Sequence, residues 1–350
     1  MLILGIESSC DDCSLAIVED GRRIVAHTVA SQVELHRPYD GVVPELASRA
    51  HTELILPTYR ETLKRAGLEP AALDGVAVTS RPGLSGSLVV GVSFAKALAY
   101  GLDIPLIGID HILAHLYAPQ LAEPIEYPFL GVLVSGGHTL ICKVQDFDDI
   151  EVLGTTIDDA CGEAFDKVAK HLGLGYPGGV VIDRLARLGN AEAFRFPVPS
   201  LHKGDHRYDV SYSGLKTAVV NQLDQFHTPG FEKSHENIAA AFEKAAVDML
   251  VSRVLRAAKD TGLSCIVAGG GVAANTYFRS RLAEAPRGRH KPAPGAGVSE
   301  YTVVFPPLEL CTDNGAMVAG IGYQHIIRGD RSGLDLEVSS RVPRFRHAYP

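Results

Sequence analysis

Two histidines four residues apart, His111 and His115 in the stretch IGIDHILAHLYA, are the residues whose types and spacing most directly suggest chemistry. On a helix that spacing stacks both imidazoles on one face, about one turn apart, which is how two histidines reach a single metal ion. The same spacing also arises by coincidence on a helix face, so the pair alone does not define a site. Three glycine-rich turns are the other chemical signal: Gly5 to Asp12 (GIESSCDD), Leu133 to Thr139 (LVSGGHT) and Ala268 to Thr276 (AGGGVAANT). Glycines at strand ends let backbone N–H groups approach an anion, and a following helix adds its positive dipole. Carboxylates such as Asp11 and Asp12 could in turn hold a divalent cation, Mg2+ with a nucleotide, between phosphates. One such turn would mark an ordinary tight turn. Three of them, each ending an apolar strand, argue for a nucleotide cleft.

The elements that must position these residues repeat along the chain. LILGIE, SLAIVED and RIVAHTVA read as an antiparallel meander. PELASRAHTELILPTYRETLKRAGL has helical periodicity, with Pro44 at its start and Gly67 near its end. DGVAVTS, SLVVGVSFAKALAYGLD and IPLIGI follow as strand, helix and strand. The order then returns: FLGVLVSGG, HTLICKVQ and IEVLGTTI as strands, GEAFDKVAKHLGL, GGVVIDRLARLGN and the long ENIAAAFEKAAVDMLVSRVLRAAKDTGL as helices. The strand SCIVAGGG, the helix VAANTYFRSRLAEA, the strand YTVVFPP and the helix DNGAMVAGIGYQHIIRG complete it. Two βββαβα halves are therefore expected, as lobes 1–115 and 116–350, with a helix near the C-terminus packing back toward the first lobe. A length of 350 residues exceeds one ordinary core and suits such a duplication.

Composition narrows the function classes. Hydrophobic residues make up 46% of the chain and charged ones 21%, enough for a packed interior and unlike a disordered chain. The start MLILGIESSC lacks a basic flank and a cleavage-like segment, and no apolar run reads as reaching the roughly 20 residues of a membrane span. A cytoplasmic protein without membrane contact is expected. A net charge of −8 excludes a protein that grips nucleic acid over its whole surface. A polyanion partner would need a local patch, and Arg279, Arg281, Arg287, Arg289 and Lys291 gather in RSRLAEAPRGRHKPAPGAG. That stretch reads equally as a solvated helix end running into an exposed loop over 285–298. Six scattered cysteines exclude a secreted disulfide framework. Cys10 and Cys13 form a C-x-x-C, readable as a redox pair or half a zinc site; without a second C-x-x-C, and in a hairpin turn, reduced structural thiols are the expectation.

The turns and the repeat resemble the actin, Hsp70 and sugar-kinase superfamily, whose two RNase-H-like halves close over a nucleotide. The resemblance implies an α/β, duplicated, two-lobed fold with a cleft between the lobes. Within that superfamily, GIESSCDD, DGVVPELASR, LVSGGHT, IDDACGEAFDKVAKHLGLGYPGG, SYSGLKTA, GGGVAANT and CTDNGAM resemble, in order, the signatures of the tRNA N6-adenosine threonylcarbamoyltransferase family (TsaD, also called Gcp or YgjD). The likeness covers essentially the whole chain. It implies transfer of the threonylcarbamoyl group of threonylcarbamoyl-AMP to N6 of adenosine 37 in tRNAs reading ANN codons, giving t6A. It also implies one divalent metal, iron (Fe2+) or zinc, held by His111, His115 and Asp313 and binding the donor. By the same resemblance the adenylate phosphate lies on Leu133, Val134, Ser135, Gly136 and Gly137, the sugar near Asp166, Gly179 and Asp183, and the adenine near Asn275. Asp11 takes the part of a base or orients the attacking amine. The implied partners are tRNA, a TsaB-like paralogue and a TsaE-like ATPase.

Duller readings stand beside these. Asp166 and Asp183 suit helix-surface charges equally well, and Lys216 in SYSGLKTA reads as a solvated lysine outside the site. The chain also departs from the family pattern. Leu113 and Ala114 separate the histidines where many bacterial members carry a Glu, Asp12 and Cys13 stand where Glu and Thr are common, and Arg81 replaces a small residue. A helical zinc protease needs a Glu directly after the first histidine, and Ile112 stands there, which excludes that reading. An actin-like ATPase or small-molecule kinase would share the turns but need no histidine pair. A non-catalytic scaffold would lack the site motifs.

Overall fold

A computed structural model describes residues 1–199, 206–284, 301–341 and 345–347 of the chain. It divides into two units, Met1–Ile125 with Pro306–Arg344, and Glu126–Phe305 with Phe345–Pro350.

The first unit is built on β1 (Leu2–Glu7), β2 (Asp12–Glu19), β3 (Arg23–Ser31), β4 (Gly75–Arg81) and β5 (Leu106–Asp110), in the sheet order β3-β2-β1-β4-β5. The meander β1-β2-β3 is antiparallel, whereas β4 and β5 join it in parallel. Its helices are α1 (Val33–His36), α2 (Pro44–Ala66), α3 (Ser85–Leu102), α4 (His111–Tyr117) and, from far along the chain, α10 (Gly315–Arg328). Side chains on a strand alternate between faces. Leu4 and Ile6 of β1 therefore join Ile55, Tyr59 and Leu63 of α2 and Val92, Ala95 and Ala99 of α3 in one apolar cluster. Gly5 points the other way, to α10, where a Cβ would come within 2.1 Å of the Gly315 carbonyl oxygen. α2 starts at Pro44, whose missing N–H is not needed in a first turn, and ends on Gly67 at φ +66°.

α3 is the helix that bears on the membrane expectation. Its 18 residues are long and apolar enough to cross a membrane by length and composition. Leu88, Val92, Ala95 and Ala99 are nevertheless buried within the unit, as in a core helix. The edge strand β5 is covered by the chain after α10: Ser332 N–H donates to the Leu106 carbonyl at 2.7 Å, and Gly108 N–H donates to Ser332 Oγ at 3.0 Å.

The second unit repeats the plan. β6 (Phe129–Val134), β7 (Thr139–Asp146), β8 (Asp149–Thr155), β9 (Cys265–Gly269) and β10 (Thr302–Val304) lie in the order β10-β9-β6-β7-β8, with the same antiparallel and parallel pairings as their counterparts. A short β11 (Arg346–His347) adds parallel to β8. The helices are α5 (Cys161–His171), α6 (Gly178–Ala186), α7 (Ser213–Asn221), α8 (His235–Thr261) and α9 (Thr276–Glu284). α8 is capped by Ser234 and ends on Gly262 at φ +71°, and its Phe242 meets Phe165 of α5 edge to face at 5.0 Å. One predicted boundary moves. VAANTYFRSRLAEA is helical only from Thr276, because Asn275 stays extended and its side chain caps the helix, accepting the Phe278 N–H at 2.8 Å. Two sheets of one order, each with helices, form the duplicated RNase-H-like α/β fold.

Candidate functional site

α4 begins where it does because Asp110 caps it, Oδ1 accepting the N–H of Ile112 at 2.9 Å and of Leu113 at 3.4 Å. Burial pushes the Asp110 carboxyl up, and its hydrogen bonds with Arg81 nearby work against that. Every residue from His111 to Tyr117 is buried, and the two imidazoles of α4 meet edge to face at 4.5 Å. Asp313 arrives from the loop before α10. There Asn314, the N-cap, accepts the Met317 N–H at 2.8 Å and donates to the carbonyls of Leu310 and Thr312. His115 Nε2 lies 3.1 Å and His111 Nε2 3.6 Å from the same oxygen, Asp313 Oδ1. One ligand atom from each of the three residues lies within 4.8 Å of the others. Two imidazole nitrogens and a carboxylate oxygen converging in this way fit zinc or ferrous iron.

Glu7 was not among the residues singled out in the sequence. Fully buried at the end of β1, its Oε2 accepts the Nδ1–H of His111 at 3.0 Å and the Thr79 hydroxyl at 2.6 Å, and its Oε1 accepts the Ser9 N–H at 2.7 Å. Burial opposes charge on both members of this pair. The attraction of His111 still holds the Glu7 carboxyl below its usual range, and Glu7 with Asp313 raises His111 to about 9. His115 is lowered by burial and by the His111 charge. The signal in the sequence was a lone carboxylate ending the otherwise apolar strand LILGIE.

Asp11 stands on the β1–β2 turn, where its carbonyl accepts the Gln32 N–H at 3.1 Å. The turn is fastened by His51 Nε2–H, which donates to the Cys10 carbonyl at 2.9 Å, and by Leu84 N–H, which donates to that of Ser9 at 2.8 Å. Beside it, burial pushes Asp12 up to about 7. Cys10 and Cys13 form no disulfide, and neither do the other four cysteines.

The nucleotide residues inferred from the sequence all lie in the second unit. Leu133 and Val134 are buried in β6. Ser135 N–H donates to the His138 carbonyl at 2.8 Å and Ser135 Oγ accepts the His138 N–H at 3.1 Å, turning the chain through the exposed Gly136. The first turn of α5 abuts it, Gly162 N–H donating to the Ser135 carbonyl at 3.1 Å. Gly270, at φ +91°, brings the third glycine turn alongside: a Cβ there would lie 2.4 Å from the Val134 oxygen. Asp166 Oδ1 accepts the Gly178 N–H at 2.8 Å, and Gly179 follows with open space beyond its Cα. Asp183 accepts the N–H and the hydroxyl of Thr276 at 3.0 and 2.6 Å and pairs with Arg187. Both aspartates therefore hold helix N-termini, those of α6 and α9. Asn275 Nδ2 donates to Glu243 Oε1 at 2.6 Å, and burial pushes Glu243 up to about 7.

Two motifs explain each other. Asp158 accepts the hydroxyls of Ser211 and Ser213 at 2.5 and 2.7 Å, and Asp159 pairs with both Lys167 and Lys216 at 2.7 Å. Lys216 is thus an ion-paired fastener of SYSGLKTA onto IDDACGE, not a solvated lysine. In the basic stretch, Arg281 pairs with Asp248 at 2.7 Å and Arg279 donates to the Ala273 carbonyl at 2.6 Å. Arg287, Arg289, Lys291 and the whole loop 285–298 lie outside the described residues.

Paired sheets of this order carrying glycine turns define the actin-like class of α/β proteins, and solved structures agree. HypF from T. kodakarensis superposes with a TM-score of 0.62 at 14% identity, covering 93% of this chain and 48% of that one. Component A of the Acidaminococcus fermentans (R)-2-hydroxyglutaryl-CoA dehydratase gives 0.55 at 17% identity, covering 93% and 99%. At such identities the likeness is one of fold. The family described as TsaD, tRNA N6-adenosine threonylcarbamoyltransferase, matches residues 23–320. Curated relatives of that name are 58% identical in Treponema denticola and 48% identical in Borrelia hermsii, each match covering 99% of this chain and 98% of the relative. The chain belongs to this family of transferases.

Proposed function

We propose that this chain transfers the threonylcarbamoyl group of threonylcarbamoyl-AMP to N6 of adenosine 37 in tRNAs reading ANN codons, forming t6A in the cytoplasm. The observation that carries the reading is the convergence of His111, His115 and Asp313 in a member of this family. A divalent metal held there, iron or zinc, would supply Lewis-acid polarisation of a donor carbonyl or carboxylate. The residues' own part is preorganisation. Both histidines ride on one buried helix turn and Asp313 is pinned by the capped start of α10, so the ligand atoms need little rearrangement to meet an ion.

In this reading the adenylate phosphate lies on the Leu133–Gly137 turn beside the start of α5, with Mg2+ where a nucleotide brings it. Asp166, Gly179 and Asp183 shape the sugar site, the two aspartates through the helix starts they hold. Asn275 meets the adenine, and Asp11 orients the incoming amine. A net charge of −8, with Arg279 and Arg281 engaged internally, supports tRNA being held jointly with TsaB-like and TsaE-like subunits.

The test is nucleoside mass spectrometry on unmodified tRNA incubated with the chain, its partner subunits and threonylcarbamoyl-AMP. t6A should appear only when this chain is present. Consumption of nucleotide without t6A would overturn the reading in favour of an actin-like ATPase.

A further inference from the structure

We infer that Glu7 is the positioning residue of the metal centre, dictating the imidazole tautomer in which His111 keeps its proton on Nδ1 and offers Nε2 to the ion. This rests on the metal reading of His111, His115 and Asp313. A buried carboxylate can only accept hydrogen bonds, and the surroundings of this one determine how each oxygen is used. Oε1 takes the Ser9 backbone N–H at 2.7 Å, a donor that cannot turn away. Oε2 takes the Thr79 hydroxyl at 2.6 Å and faces His111 Nδ1 at 3.0 Å. An imidazole meeting that oxygen must bring a proton on Nδ1; a bare lone pair there would face another lone pair. The nitrogen left to give up its proton to an incoming ion is then Nε2, the one beside Asp313 Oδ1 and across from His115. A carboxylate accepting the far N–H of a ligating histidine fixes the ring and strengthens the ligand nitrogen.

The chemistry of glutamine makes this testable with almost no change in shape. Ser9 N–H requires an oxygen at the Oε1 position, so Glu7→Gln must place its NH2 where Oε2 stood, opposite His111 Nδ1. The amide then opposes a proton on His111 Nδ1 and favours it on Nε2, in the position an ion would take, leaving only Ser9 Oγ, 3.2 Å from Nδ1, to accept an Nδ1–H. The substitution therefore favours the opposite tautomer while preserving volume.

Titration of the full-length, metal-stripped protein with Zn(II), followed by calorimetry, and with Co(II), followed by its visible absorption, should show affinity about 10–100-fold weaker for Glu7→Gln. The melting temperature should stay near that of the wild type. In a long-range 15N–1H spectrum of the Zn(II)-loaded wild type, His111 should show a protonated Nδ1 and a metal-bound Nε2, a readout that needs neither a variant nor activity. Wild-type affinity and an unchanged Co(II) spectrum in Glu7→Gln, or a bare Nδ1 in the wild type, would overturn the role of Glu7 and leave the metal site standing. A wild-type protein whose metal binding survives the double change His111→Ala and His115→Ala would instead overturn the metal reading, and this inference with it.

Discussion

At the scale of single residues, geometry separates ligands from their supports. Replacing both His111 and His115 with Ala should abolish metal retention and transfer while the far-ultraviolet spectrum stays folded; metal analysis beside a t6A assay checks both. Asp313→Asn removes the charge of the proposed third ligand at constant shape and should weaken both without erasing either. Glu243 gives a pH prediction from the second unit. Burial pushes it in the folded state to about 7, above the 4.5 of a free glutamate side chain, so the folded protein binds the extra proton between those limits. Stability from this group is complete below about pH 4.5 and is lost as pH rises to about 7, by roughly 2–3 kcal/mol. Glu243→Gln should remove that loss: the variant should gain on the wild type in urea midpoint from pH 5 to pH 8, and equal midpoint differences at both pH values would refute the assignment. Of these residues, His111 and His115 were suggested by their spacing, which needed the wider set of motifs to stand out from a coincidence on a helix face. No local pattern ties His115 to Asp313, 198 positions away, and only the family resemblance suggested that pairing.

At the scale of elements, α10 is the piece whose seating the first unit tolerates least. Gly5 of β1 lies against its first turn, and a Cβ on Gly5 would meet the Gly315 oxygen at 2.1 Å and the Ala319 nitrogen at 2.4 Å. Backbone atoms cannot step aside as a flexible side chain can, so Gly5→Ala should cost about 1–3 kcal/mol or more and displace Asp313 as well. Chemical denaturation and Zn(II) affinity should fall together. Asn314→Ala, which removes the cap of the same helix, should cost about 1 kcal/mol and loosen metal binding less. Strands and long helices were legible because burial imposes period two or 3.6 on them. The start of α9 was not, since the apolar VAA before it reads on into the helix, whereas Asn275, a favoured capping residue, is held extended as its cap. Neither was the use of SYSGLKTA, whose hydroxyls and lysine are spent on Asp158 and Asp159, a pairing set by tertiary contact and not by pattern.

At the scale of the whole molecule, charge and chain order matter most. With a net charge of −8 the isolated chain should bind tRNA more weakly than the assembled complex, and its affinity should fall less steeply with salt; filter binding across a salt series measures both. Equal affinity and slope would show that this chain carries the tRNA site unaided. The duplicated sheet was legible as a repeated order of strands, but the interleaving of the first unit was only hinted at by the expected return of a late helix. That interleaving has a consequence for synthesis on the ribosome. The second unit occupies an almost unbroken stretch of chain, whereas the first is split around it. The first unit therefore cannot be completed until most of the second has been synthesised. His115 leaves the ribosome 198 residues before Asp313, a wait of about 10–40 s at ordinary elongation rates. Until then β1 lacks α10 and the histidines lack their carboxylate, so a nascent or prematurely ended chain carries two of the proposed metal ligands but not the third, and the proposed centre closes only once Asp313 has been made.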